Sequence, residues 1–228
     1  MSSSFSRNPI SISPSKLRSD LYCFSCEEEP SIPSVISVVA SLVERTMARN
    51  ERVAGKYHIV AVKDARCQAF HSHQVLDMSI QSFLERFFRY AHVTPPVYVV
   101  AYVYMDRLCQ LNPGLKVCLM NVHRLLITSI MVASKFVEDR NYRNSYFAKV
   151  GGISTMELNN LELNFLFLIK FKLHVSVSVF ESYCSHLERE VSFGGGYHIE
   201  RSLKFMCGGE ITSKERERKE LNQLARVL

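Results

Sequence analysis

The chain has 228 residues, 47% of them hydrophobic and 11% aromatic, enough for a sizeable core in one domain with extensions or in two small ones. Its net charge of +6 is a thin excess spread along the whole length, so no phosphate-binding stripe stands out and a nucleic-acid partner is not expected. No run approaches the roughly 20 apolar residues of a membrane helix, and the opening MSSSFSRNPISISPSK lacks the apolar centre of a signal peptide; the expectation is a soluble protein of the nucleus, the cytoplasm or both.

Residues 1–30 are rich in Ser and Pro and poor in periodic apolar residues, and read as a disordered tail. Residues 31–75 read as an N-terminal helix and a linker. Pro33-Ser34 opens the helix, and Val35, Ile36, Val39, Leu42, Val43 and Met47 recur at helical spacing. The irregular segment after Asn50 looks like a linker lying across the main body.

From about residue 76 to residue 191 the chain is helix after helix. Ile80, Phe83, Leu84, Phe87, Phe88 and Ala91 make an amphipathic stripe. Thr94 should cap a second helix with Pro95 and Pro96 in its first turn, where a missing N–H costs nothing. Asn121 should cap a third, VHRLLITSIMVASKFVED, which is apolar nearly all round and so belongs in the middle. A short fourth, NSYFAKV, ends at Gly151-Gly152. Ser154 and Glu157 have the spacing of a capping box for a fifth, MELNNLELNFLFLIKF. A sixth helical stretch closes near Val191. Residues 192–228 form a C-terminal extension whose last segment has helix-forming composition but little apolar stripe. The fold class is therefore all-α, a compact helical domain with flexible termini.

Seven cysteines, an odd number and several of them inside apolar helical stretches, argue for free thiols in a reducing compartment. Cys67, His71 and His73 match no zinc module, and no metal or cofactor is expected. There is no Gly-rich phosphate loop and no nucleophile motif, and the histidines are dispersed, so an enzyme is not expected either.

Two charges are out of place. Lys135 follows ten uncharged residues of the third helix, and Glu162 is embedded in the apolar run of the fifth. A lone charge in a core helix is usually a snorkelling side chain or half of a local ion pair. Opposite charges in two apolar helices suggest a shared site, either neutralising each other or offering donors and acceptors to a partner's backbone.

At these residues the chain resembles the cyclins. VASKFVED, YVYMDRL and LNNLELNFLFLIKFKLHV occur in the order of three segments of a cyclin box, and with SFLERFFRY they look closest to the plant P- or U-type cyclins, relatives of the phosphate-signalling cyclins of yeast. The resemblance implies one five-helix box over residues 76–191 and a regulatory subunit, without catalysis of its own, that binds and activates a cyclin-dependent protein kinase in cell-cycle or nutrient signalling. It puts Lys135 and Glu162 at the kinase contact, with Phe136 and Leu166 as neighbours. Departures accompany it. The chain has no tryptophan, and Asp77 stands where the family's helix-one arginine would be, which puts a substrate-docking patch on that helix in doubt. Asp106, that arginine's usual partner, is left a structural role, pairing with Arg86 or Arg89 or orienting a loop. A helical nucleic-acid or transcription-factor binding module is the alternative, since fold alone does not decide function. Finally, Ser13-Pro14-Ser15-Lys16 has the serine-proline-x-basic pattern of a cyclin-dependent kinase target, which makes Ser13 a candidate phosphorylation site.

Overall fold

A computed structural model describes residues 12–23, 31–54, 64–139 and 142–192. Among them are nine helices: α1 Pro14–Tyr22, α2 Ser34–Ala54, α3 Ala65–Gln68, α4 Ile80–Ala91, α5 Pro95–Leu111, α6 Val122–Val137, α7 Asn144–Gly151, α8 Thr155–Leu168 and α9 Val177–Ser192. The domain is all-helical, and α5 and α6 form its closest-packed pair.

From Leu125 to Ser134 every residue of α6 is buried, which places it in the middle with α4, α5, α7 and α8 around it. Three of those residues are hydroxylated, and two of them are satisfied by the backbone of their own helix, while Ser134 turns to Glu138 at its end. Thr128 Oγ1 donates to the Arg124 carbonyl at 2.7 Å, and Ser129 Oγ to that of Leu125 at 2.8 Å. Two of the buried tyrosines of α5 end on backbone as well: Tyr98 Oη donates to the Leu84 carbonyl at 3.1 Å and Tyr104 Oη to that of Leu173 at 2.7 Å.

The caps differ in kind. Ser154 accepts from the Glu157 N–H at 3.0 Å as its spacing predicts, while the Glu157 carboxylate is drawn away to Arg124 at 2.5 Å. Asn121 and Thr94 stand at N-cap positions without capping through their side chains. Asn121 instead closes the loop before α6, accepting from the Cys118 N–H at 2.9 Å and donating to the Lys116 carbonyl at 2.8 Å. Gly152, at φ 74°, is the left-handed C-cap of α7.

Helix α1 corrects the reading of residues 1–30 as a disordered tail. Its apolar stripe is only Leu17 and Leu21, too short to register against the serine and proline around it, yet both side chains are buried. The remainder of that tail, residues 1–11 and 24–30, lies outside the described residues, as does the extension from residue 193 onward. The linker is more structured than its sequence suggests: Cys67 and Phe70 reach the core, and the Ser72 N–H donates to the Met120 carbonyl at 2.7 Å. Helix α2 packs on α4, α5 and α9, so there is no break in packing between it and the helices that follow.

Two expectations follow from this core. A Cβ on Gly151 would stand 2.1 Å from Ile127 Cδ1, and Ile127 is itself buried. Gly151→Ala should therefore destabilise the fold by roughly 1–3 kcal/mol through overpacking, read from chemical denaturation. The second concerns His123 and His186. Burial lowers both pKa values below the ordinary 6.5, opposed for His123 by its bond to the Met78 carbonyl and for His186 by Glu190. As the pH falls below that value the unfolded chain binds protons that the folded chain refuses, so stability should decline from neutral pH downward. The urea midpoint should drop between about pH 7.5 and about pH 5.5, and His123→Gln with His186→Gln should flatten that slope.

Candidate functional site

Burial ends abruptly in the last turn of α6. Ser134 is inside, Lys135 is partly exposed, and Phe136 and Val137 face solvent. A cation at this end of a helix also meets the negative pole of the helix dipole. The structure brings Lys135 and Glu162 together: Nζ stands 2.7 Å from Oε1, with the two side chains 32% and 21% exposed. Neither charge lies in the core. Both sit at its rim, where α6 emerges beside the middle of α8.

The other oxygen of Glu162 is also taken. Asn144, the first residue of α7, donates through Nδ2 to Glu162 Oε2 at 2.6 Å and to Asn159 Oδ1 at 2.7 Å. Three helices thus converge on one carboxylate. Asn144 carries no signal in the sequence, because an asparagine opening a helix is ordinarily a cap.

Exposed apolar side chains follow both partners along the chain. Phe136, Val137, Leu163, Phe167 and Phe171 are all exposed, while Leu166 is half-buried against the core. The turn after α8 sets the last of these. Lys170 and Phe171 have φ of 55° and 56°, two consecutive left-handed residues without glycine's freedom. The turn is closed by the Phe171 N–H donating to the Leu166 carbonyl at 2.9 Å. Phe171 then meets Phe167 edge to face, centroids 5.4 Å apart, and the Arg66 guanidinium lies over Phe167 at 5.1 Å. Of these, only Phe136 and Leu166 are expected from the sequence; Val137, Leu163, Phe167 and Phe171 are not. Apolar periodicity does not tell the inner face of a helix end from the outer, so these four carry no signal of their own.

Glu138 locks the end of α6. Its carboxylate accepts from Ser134 Oγ at 2.5 Å and from the Thr94 N–H at 2.9 Å, tying the C-cap of α6 to the start of α5.

The remaining candidates lie elsewhere. Asp106 does not serve Arg86 or Arg89, and Arg89 instead pairs with Glu85 at 3.5 Å. Asp106 accepts from Tyr183 Oη at 2.6 Å and from Gln110 at 2.8 Å, and it shares a groove between α2 and α5 with Arg49. It therefore ties α5 to α9, because α5 presents it away from α4. Ser13 is the N-cap of α1. On α4, Ile80, Phe83 and Phe87 are buried, so they offer no docking surface to a peptide. Among the described residues no cluster of three or more His, Cys, Asp or Glu side chains could hold a metal, and no helix is long and apolar enough to cross a membrane.

Because Tyr183 donates to a charged acceptor at a partly buried site, Tyr183→Phe should cost about 1.5–3 kcal/mol. Equilibrium unfolding read out on α9 by amide hydrogen exchange checks this.

Comparison with known proteins agrees with this arrangement of helices. A family model of the cyclins matches residues 33–173, from the start of α2 to just beyond α8. Cyclin-U2-2 of Arabidopsis thaliana is 57% identical over 227 residues, covering 97% of this chain and 98% of its own. Cyclin-U2-1 of the same plant is 60% identical over 207 residues, 90% of each chain. Cyclin-P2-1 of Oryza sativa subsp. japonica is 56% identical over 209 residues, 89% of this chain and 95% of its own.

Proposed function

The chain belongs to the cyclin family, whose members are regulatory rather than catalytic, and we propose that it binds and activates a cyclin-dependent protein kinase through the face centred on Lys135 and Glu162. The observation that carries this reading is a salt bridge held at the surface with exposed apolar side chains beside each partner in the chain, Phe136 and Val137 after Lys135 and Leu163 after Glu162. As a device for folding, such a pair contributes little, about 0–1 kcal/mol where water reaches both charges. As a device for binding it has unused capacity. The Lys135 ammonium has three donors and gives one to Glu162, and the carboxylate keeps lone pairs beyond those used by Lys135 and Asn144. Covered by a partner, these groups reach main-chain carbonyls and amides while Phe136, Val137, Leu163 and Phe171 lose water. A cyclin docked against the kinase's αC helix positions the kinase's own lysine–glutamate pair and its activation loop. In this reading the protein works in the nucleus, the cytoplasm or both, in cell-cycle or phosphate-type nutrient signalling. The mixed charge of the face favours a protein partner over nucleic acid, which would call for a basic stripe.

The test is affinity for a cyclin-dependent kinase with Lys135→Ala and with Glu162→Ala. Each should weaken association by about 2–5 kcal/mol, the scale for truncating one partner of a desolvated charge pair. Melting temperatures of the free variants should stay close to that of the wild type. Unchanged affinity in both variants would count against this face.

A further inference from the structure

Helix α1 places a chemical group of its own. Its N-cap is Ser13, followed by Pro14, Ser15 and Lys16, the serine-proline-x-basic order that a proline-directed kinase reads. We propose that Ser13 is a phosphorylation site that is closed while α1 lies against α9 and open when the helix lifts away.

The closure is geometric. A kinase takes such a segment extended, with serine, proline and basic residue spread along its cleft. Here only Ser13 is extended, at φ −87° and ψ 149°, and the helix begins at Pro14. From Ser13 to Lys16 a helix rises about 5 Å where an extended chain spans about 10 Å. The reacting oxygen is occupied too: Ser13 Oγ accepts from the Lys16 N–H at 3.2 Å and lies 3.1 Å from Ser15 Oγ. The Ser13 carbonyl accepts from the Leu17 N–H at 3.1 Å. Ser13 is solvent-exposed, yet the four-residue pattern is presented in the wrong shape.

The hinge is the weakness of the seal. Helix α1 has nine residues and buries two side chains, Leu17 and Leu21. Its other ties are peripheral. Arg18 reaches Glu188 of α9 with two bonds, at 3.0 and 2.8 Å, and Asp20 accepts from the Ser34 N–H at 2.6 Å. Tyr22 meets Phe180 edge to face at 6.4 Å. An element held by so little opens on its own, far below the free energy of global unfolding.

In the open state Ser13 Oγ attacks the γ-phosphorus of ATP. The new oxygen–phosphorus bond forms as the bond to the ADP bridging oxygen breaks, ADP leaves, and the hydroxyl proton passes to the kinase's base. The dianion then stands at the N-cap beside the Ser15 and Lys16 N–H groups, with the side chains of Lys16 and Arg18 on the same helix, a position that strengthens the helix. Helix α1 therefore re-forms over the mark, and the same closure that slows its addition slows its removal by a phosphatase.

The kinase's identity rests on the function proposed above, so the experiment supplies a separate, already active proline-directed kinase with ATP. Phosphate at Ser13 of the full chain is followed by mass spectrometry. Leu17→Ala with Leu21→Ala should raise the rate at least ten-fold over the wild type. Arg18→Ala with Asp20→Ala, which leaves every core side chain in place, should raise it several-fold and carries the test if the first variant fails to fold. Met156→Ala, an exposed change on α8 away from α1, should leave the rate unchanged, and because the added kinase is already active the outcome does not depend on the kinase-binding face. Equal rates in the wild type and the loosened chains would overturn the closure. No phosphate at Ser13 in any of them, or phosphate at Thr94 instead, would overturn the site.

Discussion

A helix with no polar face has to be enclosed, and α6 imposes that requirement on everything around it. Thr128 and Ser129 turn their hydroxyls back onto its own carbonyls, so along its buried middle α5, α8, α7 and α4 cover it with apolar surface, and the ion pairs to α8 stand at its two ends. The enclosure stops at Lys135, although Phe136 and Val137 after it are still apolar. The candidate site is thus a direct result of how far α6 runs: one more apolar turn and the lysine would be carried past the end of its neighbours, one fewer and it would be trapped among them. Its place at the rim lets a charge in a core helix keep water on one side and a carboxylate on the other.

Much of this was legible in the sequence because period and burial go together. The all-round apolar character of α6, the stripe on α4 and the serine ahead of α8 each act through neighbours three or four residues away. The pairing of Lys135 with Glu162 was legible for a different reason: two unmatched opposite charges in two enclosed helices have few other places to go. What could not be read was anything fixed by the third dimension alone. Asp106 turns to Tyr183, 77 residues further on, and nothing in the spacing of either residue announces the other. Asn144 and Glu138 belong to the same class, ordinary helix-end residues whose partners were decided by which ends happen to meet. Helix α1 was missed because two leucines in a nine-residue helix give periodicity almost nothing to register.

The polar ties fall into two groups with different duties. Those of Tyr98, Tyr104 and Asn121 run from side chain to backbone, Tyr98 reaching into α4 and the other two finishing loops, so they fix the frame. Those of Glu162, Glu138 and Asp106 run between elements and fix how helices are oriented on that frame. The second group lies near the surface, where a carboxylate can collect several donors and still remain hydrated, which is why each can hold two elements together at modest cost.

The turn after α8 has a bearing on how fast, and not only how tightly, a partner is met. Lys170 and Phe171 sit in a backbone conformation that most unbound loops visit rarely, yet here it is already in place, closed by a bond back to Leu166 and braced by Phe167. A flexible loop would have to find that shape after each encounter, losing conformational freedom at the moment of contact. A turn set in advance has lost it during folding. Phe171 is thus held in place before any encounter, by the fold and not by a partner.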